Sequence, residues 1–292
     1  MIGIDNKKNG IALAQQTGVL QYAGKLGYSI IQKGLANAIP MAGKLAAKGG
    51  LLGTIGVNCS KFLGAAAGFM GGPLGAVVGE IVGQLVIYAA TNAIAHVAKK
   101  LNLINEDDSA EEIGYRLAEA NRHEDWLRAE EFQNFGEYYE YLRRQVPDDS
   151  IDRAEFANDR LYYTAIGGSA LRHSVSERIN MDIPVDMLIE IGRCRLDGET
   201  LKEILDRFSA ANYDLRLFKD YLLGKLNTED KAKIEGVLFD SLQAVYPEFD
   251  AEKTRNKLGE LRRAASDDVF LVQSMLKDTN GTQNGEESVG DM

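Results

Sequence analysis

Between Phe62 and Gly79 the chain carries no charged residue. In and around this run glycine recurs every four residues, as Gly71, Gly75, Gly79 and Gly83, preceded by a second ladder of Gly64, Gly68 and Gly72. An isolated glycine weakens a water-exposed helix by about 1 kcal/mol relative to alanine. A helix that holds several in register therefore needs a neighbour whose backbone comes close, as in small-xxx-small packing between membrane helices. The ladders predict paired helices in close contact, and they point to a membrane-active segment.

The surroundings of the ladders predict a helical hairpin over residues 51–100. Leu51 to Met70 gives about 30 Å of helix, which matches the hydrocarbon core of a bilayer. Gly71-Gly72-Pro73 reads as the turn, with Pro73 at the first position of the second arm, and Leu74 to Val97 is long enough to span again. Lys44 and Lys48 precede the first arm and Lys99 and Lys100 follow the second, while the turn is uncharged. By the positive-inside rule both ends would stay at the cytoplasmic surface and the tip would insert.

Polar residues make this hairpin a poor permanent anchor. Asn58 and Lys61 interrupt the first arm. In the second, Glu80, Gln84, Tyr88, Asn92 and His96 recur every four residues, a polar stripe that drifts slowly around the helix. A charged group near mid-bilayer costs about 2.5–3.5 kcal/mol on insertion scales, and is tolerated when it faces water or a partner helix. An oligomeric pore, or a hairpin sheltered before insertion, has a use for such a stripe.

Charge divides the chain at the same place. Residues 1–100 hold nine lysines, no arginine, and only Asp5 and Glu80 as acids, a net charge of +7; the remainder carries −17. Eighteen of the thirty glycines also fall in the first hundred residues. A basic, apolar, glycine-rich segment suits an anionic membrane surface, where each lysine contributes about 1 kcal/mol. The dispersed lysines, without arginine or stacking aromatics, argue against nucleic acid.

Four parts follow from this pattern. Residues 1–50 form a basic amphipathic helical segment, with Leu13, Val19, Leu20, Leu26, Ile30, Ile31 and Leu35 at helical spacing, a break at Pro40 and a hinge at Gly49-Gly50. Residues 51–100 are the hairpin. Residues 104–276 are an acidic all-α domain, opened by Ser109 with Glu112 as a capping box. Within it, helices are expected over 123–145 with a dense aromatic cluster, over 150–166 up to Gly167-Gly168, after Pro184, after Asp197-Gly198, over 213–226, from an N-cap at Thr228, and over 251–276. Residues 277–292 read as a disordered polar tail. The fold class is all-α, with no sustained strand alternation.

No catalytic constellation emerges. The three histidines, at 96, 123 and 173, lack metal-ligand spacing; Ser169 lacks a nucleophile elbow; and no Walker A sequence occurs. Cys59 and Cys194 are isolated, which predicts reduced, buried thiols, and no secretory signal is apparent at the start of the chain. The expectation is a non-enzyme, without metal or cofactor, whose partners are a lipid bilayer, further copies of itself, and a protein bound by the acidic domain. It would be membrane-associated after a soluble or secreted stage. Two functional readings stand side by side: a membrane-inserting pore-former, translocator or injected-channel component that oligomerises through its hairpin, and a helical scaffold or adaptor whose apolar half is buried in an oligomer interface.

Overall fold

A computed structural model describes residues 34–281, and these are all-α: thirteen α-helices and three short 3₁₀ turns, with no strand among the described residues. The stretch 1–33, and with it most of the amphipathic segment, lies outside them, as do residues 282–292.

The chain enters through α1 (Gly34–Ala46). Pro40 does not break it, although proline removes a hydrogen bond and crowds the preceding turn. Leu35, Ala38, Ala42 and Leu45 are all buried, and their packing holds the helix continuous. The hinge falls where expected: Gly49 has φ 74° and α2 (Gly50–Ala67) begins at the next residue. Helix α2 returns along α1, with Gly56 set directly beneath the backbone of Leu45 and Ala46.

The turn between the hairpin arms is longer than the sequence predicts. Gly68–Gly71 tightens into a 3₁₀ turn, and α3 (Ala76–Lys100) starts after Gly75, not at Pro73. Gly75 stands at φ 75°, a left-handed conformation that glycine adopts without the penalty other residues incur. Pro73 and Leu74 form the crossing loop ahead of it.

Helix α3 is the axis of the fold. Around it pack α7 (Arg160–Ile179), α8 (Val185–Cys194) and α9 (Gly198–Ala210), together with α2 and the 3₁₀ turn. An outer layer follows: α4 (Ala110–Arg122) lies along α7, while α10 (Arg216–Leu222), α11 (Thr228–Val245), α12 (Ala251–Ser266) and α13 (Asp268–Gly281) close over α8 and α9. The chain changes character near residue 103 through a capped loop, in which the Asn105 amide donates to Asp108 at 2.7 Å. The segments before and after that loop pack against each other across the α3–α7, α3–α8 and α3–α9 contacts.

Several helix limits are set by local caps. Ser109 accepts from the Glu112 amide at 3.1 Å, and Asp197 from the Thr200 amide at 2.8 Å. Helix α11 is capped by Asn227, one residue before the expected Thr228, through the Asp230 amide at 2.9 Å. Other limits differ from expectation. Residues 123–134 form a loop with one 3₁₀ turn, and only Phe135–Gln145 (α5) is helical. Residues 150–159 contain only the end of a 3₁₀ turn and the short α6 (Arg153–Asn158); α7 then runs straight through Gly167-Gly168. A Cβ on Gly167 would strike the Ala110 carbonyl and one on Gly168 the Thr91 side chain. These two glycines admit neighbouring helices where the sequence suggests a terminus. The expected helix over 251–276 divides at Asp267, and its second half continues as helix to Gly281, past the expected start of the tail.

Candidate functional site

By length and composition, Val78–Lys100 is long and apolar enough to cross a membrane, and it is the one such helix among the described residues. The first arm, α2, does not reach that standard. In the fold, 83% of the most apolar stretch of α3 is buried. Val82, Val86, Ile87, Ala90 and Ile94 are fully enclosed.

The glycine ladders serve two different surfaces. A Cβ on Gly79 would overlap the Phe69 carbonyl, and one on Gly83 would lie 2.6 Å from the Ala66 carbonyl. These two glycines let α3 press against the end of α2 and the 3₁₀ turn, so part of the ladder packs on the hairpin's own first arm. Gly64, Gly68 and Gly71 are exposed, with nothing within 4 Å of an added Cβ. Gly72 lies beside the Asp268 carboxylate at the tip, and Gly75 makes the turn.

The polar stripe passes through several environments. Steps of four residues on a helix of 3.6 per turn advance about 40° each, so five positions wrap nearly half the circumference. Glu80 is half-buried, and its Oε1 is enclosed with no hydrogen-bond partner. Gln84 is buried with its amide beside Gly34. Tyr88 is buried beneath the Arg160 guanidinium, 5.7 Å from the ring centre. Asn92 emerges into solvent and His96 is half-buried. In this state the stripe does not form one continuous face toward a lumen.

Carboxylates from the acidic half hold both ends of the hairpin. At the start of α2, Glu130 accepts from the Leu51 amide at 2.7 Å, and Lys48 lies 3.4 Å from Glu124. That backbone hydrogen bond is the main reason the Glu130 carboxyl is held below the usual glutamate range. Beside it, Trp126 stacks on His123 with ring centres 4.3 Å apart. At the end of α3, Glu199 bridges Lys100 and His96, each at 2.9 Å, and these contacts depress its carboxyl in the same direction. Lys99 reaches the Glu106 carbonyl at 2.5 Å, and Lys44 is exposed. The tip is held by Arg193, whose guanidinium lies 5.1 Å from the Phe69 ring and 2.8 Å from Asp268. Of the four flanking lysines, three thus engage the acidic half or the loop that leads into it.

Sequence reasoning missed these clamps. Glu130, Glu199 and Arg193 lie far from the hairpin in sequence, and nothing in their own neighbourhoods marks them. Both thiols are buried, and burial pushes Cys59 and Cys194 well above the usual cysteine range. No group of three or more histidine, cysteine or acidic residues is placed to hold a metal among the described residues. Neither a protein-family model, nor a curated protein, nor a solved structure matches the chain.

Proposed function

We propose that the protein inserts into membranes and is stored with its inserting hairpin folded inward. In this reading it is a pore-former, translocator or injected-channel component, and it acts by oligomerisation of residues 51–100, without catalysis. The observation that carries the proposal is that α3 has the length and composition of a membrane span, yet is wrapped by helices of the acidic half: the largely buried α7 and the amphipathic α8 and α9. A polar-faced wrapping lets an apolar hairpin travel through water. Release would expose the enclosed Glu80 and Gln84, while Gly64 and Gly68 already face open space in the folded chain. The basic ends, Lys44, Lys48, Lys99 and Lys100, would then meet anionic headgroups.

A second reading, a helical scaffold or adaptor, has its own support. Gly79 and Gly83 already have close partners within the chain, and a buried apolar helix at the centre of a bundle needs no membrane to explain it.

Dye release from anionic liposomes separates the two. Gly64→Leu/Gly68→Leu is the informative variant, because both positions face open space in the folded chain. The wild type is expected to permeabilise anionic vesicles, and the variant to fold normally with at least tenfold lower release, since leucines at these positions keep paired helices apart. A wild type that leaves such vesicles intact and does not bind them rejects membrane insertion in favour of the scaffold.

A further inference from the structure

Helices α1 and α2 lie side by side, and both pack on α7, so their outer sides make one face. Along α2 the exposed Val57, Lys61, Gly64 and Gly68 fall within about 60° of the helix circumference. Along α1 the exposed Ala36, Pro40 and Lys44 follow one another at four-residue steps. Val57 is one of the few large hydrophobic side chains left open among the described residues, at 42% exposure.

This face carries one sign of charge. Between Asp5 and Glu80 the sequence holds seven lysines and no acid, in a chain whose net charge is −10. Lys44 and Lys61 are exposed, and neither forms an ion pair among the described residues. Lys48, at the turn between the helices, is shared with Glu124 at 3.4 Å. The carboxylates near the two ends of α2 are engaged, Glu130 by the Leu51 amide and Asp268 by Arg193. Lys99 and Lys100 are held by the Glu106 carbonyl and by Glu199, which leaves Lys44 and Lys61 as the free cations of the four-helix-end set and its outer face. Free ammonium groups on an apolar face without acids complement an anionic lipid surface, where Val57 enters the interface beside the headgroups. A second copy laid on the face by two-fold symmetry would set lysine against lysine. Residues 1–33 bring the same sign, four lysines against Asp5.

We propose that the closed chain docks on an anionic bilayer through the outer face of α1 and α2, before the hairpin parts from the fold. The partner is taken from the membrane reading above, while docking itself is read without insertion.

Cosedimentation of the full chain with vesicles of phosphatidylglycerol and phosphatidylcholine tests it. Binding should be at least tenfold tighter than to phosphatidylcholine alone. It should weaken as salt rises from about 0.1 M to about 1 M, where the screening length shrinks from about 10 Å to about 3 Å. A lysine beside an anionic surface is worth about fivefold in affinity, so Lys44→Gln/Lys61→Gln should bind at least tenfold more weakly at an unchanged melting temperature. Removing the same charge from the layer over α8 and α9, by Lys231→Gln/Lys253→Gln, should leave binding within about twofold of the wild type. Equal losses in the two variants, equal binding to neutral vesicles, or no binding to anionic ones overturns the docking face. So does a chain that binds duplex DNA through Lys44 and Lys61 but no vesicle, or one that self-associates through them. Docking without dye release keeps the face and rejects insertion. Dye release undiminished in Lys44→Gln/Lys61→Gln keeps insertion and rejects the face.

Discussion

Single glycines decide how closely the helices of this molecule approach, and two classes of glycine respond oppositely to the same substitution. Gly167 sits where a Cβ would collide with the Ala110 carbonyl, and Gly114 where it would collide with Tyr163. Backbone atoms cannot move aside as a flexible side chain can, so Gly167→Ala is expected to lower stability by about 3 kcal/mol, the upper range for an overpacked core. Gly64 faces open space on a helix, and Gly64→Ala is expected to raise stability by about 0.5–1 kcal/mol through helix propensity alone. Urea unfolding of the two variants checks both the opposed signs and the difference in size. Equal effects would mean that the contacts at Gly167 yield more readily than their geometry implies. A comparable division runs through the ladder that dominates the sequence, where Gly79 and Gly83 belong to the first class and Gly64, Gly68 and Gly71 to the second.

At the scale of helices, what the sequence makes legible is chemistry that acts over three or four residues. The caps at Ser109 and Asp197 and the start of α8 after Pro184 all depend on neighbours in the chain, and each is found where its local signal stands. The limits that differ depend on distant partners. Gly167-Gly168 reads as a stop until α4 and Thr91 are seen against it, and Pro40 reads as a break until α2 is seen supporting α1. The candidate site divides in the same manner. The long apolar helix and the lysines around it are legible, whereas Glu130 and Glu199, which hold the start of α2 and the end of α3, are not. Their effect on stability follows from linkage. A carboxyl whose folded pKa lies below its unfolded value of about 4.5 adds stability that is complete above that pH, and loses it as pH falls through the folded value. The Glu130→Gln chain should therefore lose less stability than the wild type between about pH 5 and pH 3. Parallel urea-midpoint profiles for the two chains would show that the Leu51 contact carries no charge-dependent stability.

Across the described molecule, the one helix with the length and apolarity of a membrane span is largely enclosed, and the outer helices meet water on one side. Opening the fold enough to free α3 requires parting it from α7, α8 and α9 together, since all three contact it. Amides in the middle of α3, around Val86 and Ile87, should therefore exchange with solvent only through global unfolding, whereas those of α13 should exchange through smaller openings. Native-state hydrogen exchange read by mass spectrometry checks this, and exchange in α3 well ahead of global unfolding would reveal a hairpin that opens by itself. The chain also contains a single tryptophan, and it stands at the clamp beside the start of α2, its indole flat against His123. An imidazole in that position quenches indole emission on contact, more strongly when protonated. The native protein thus carries its own optical gauge of the loop beside that hinge: unstacking of Trp126 from His123 registers as brightening without any attached dye.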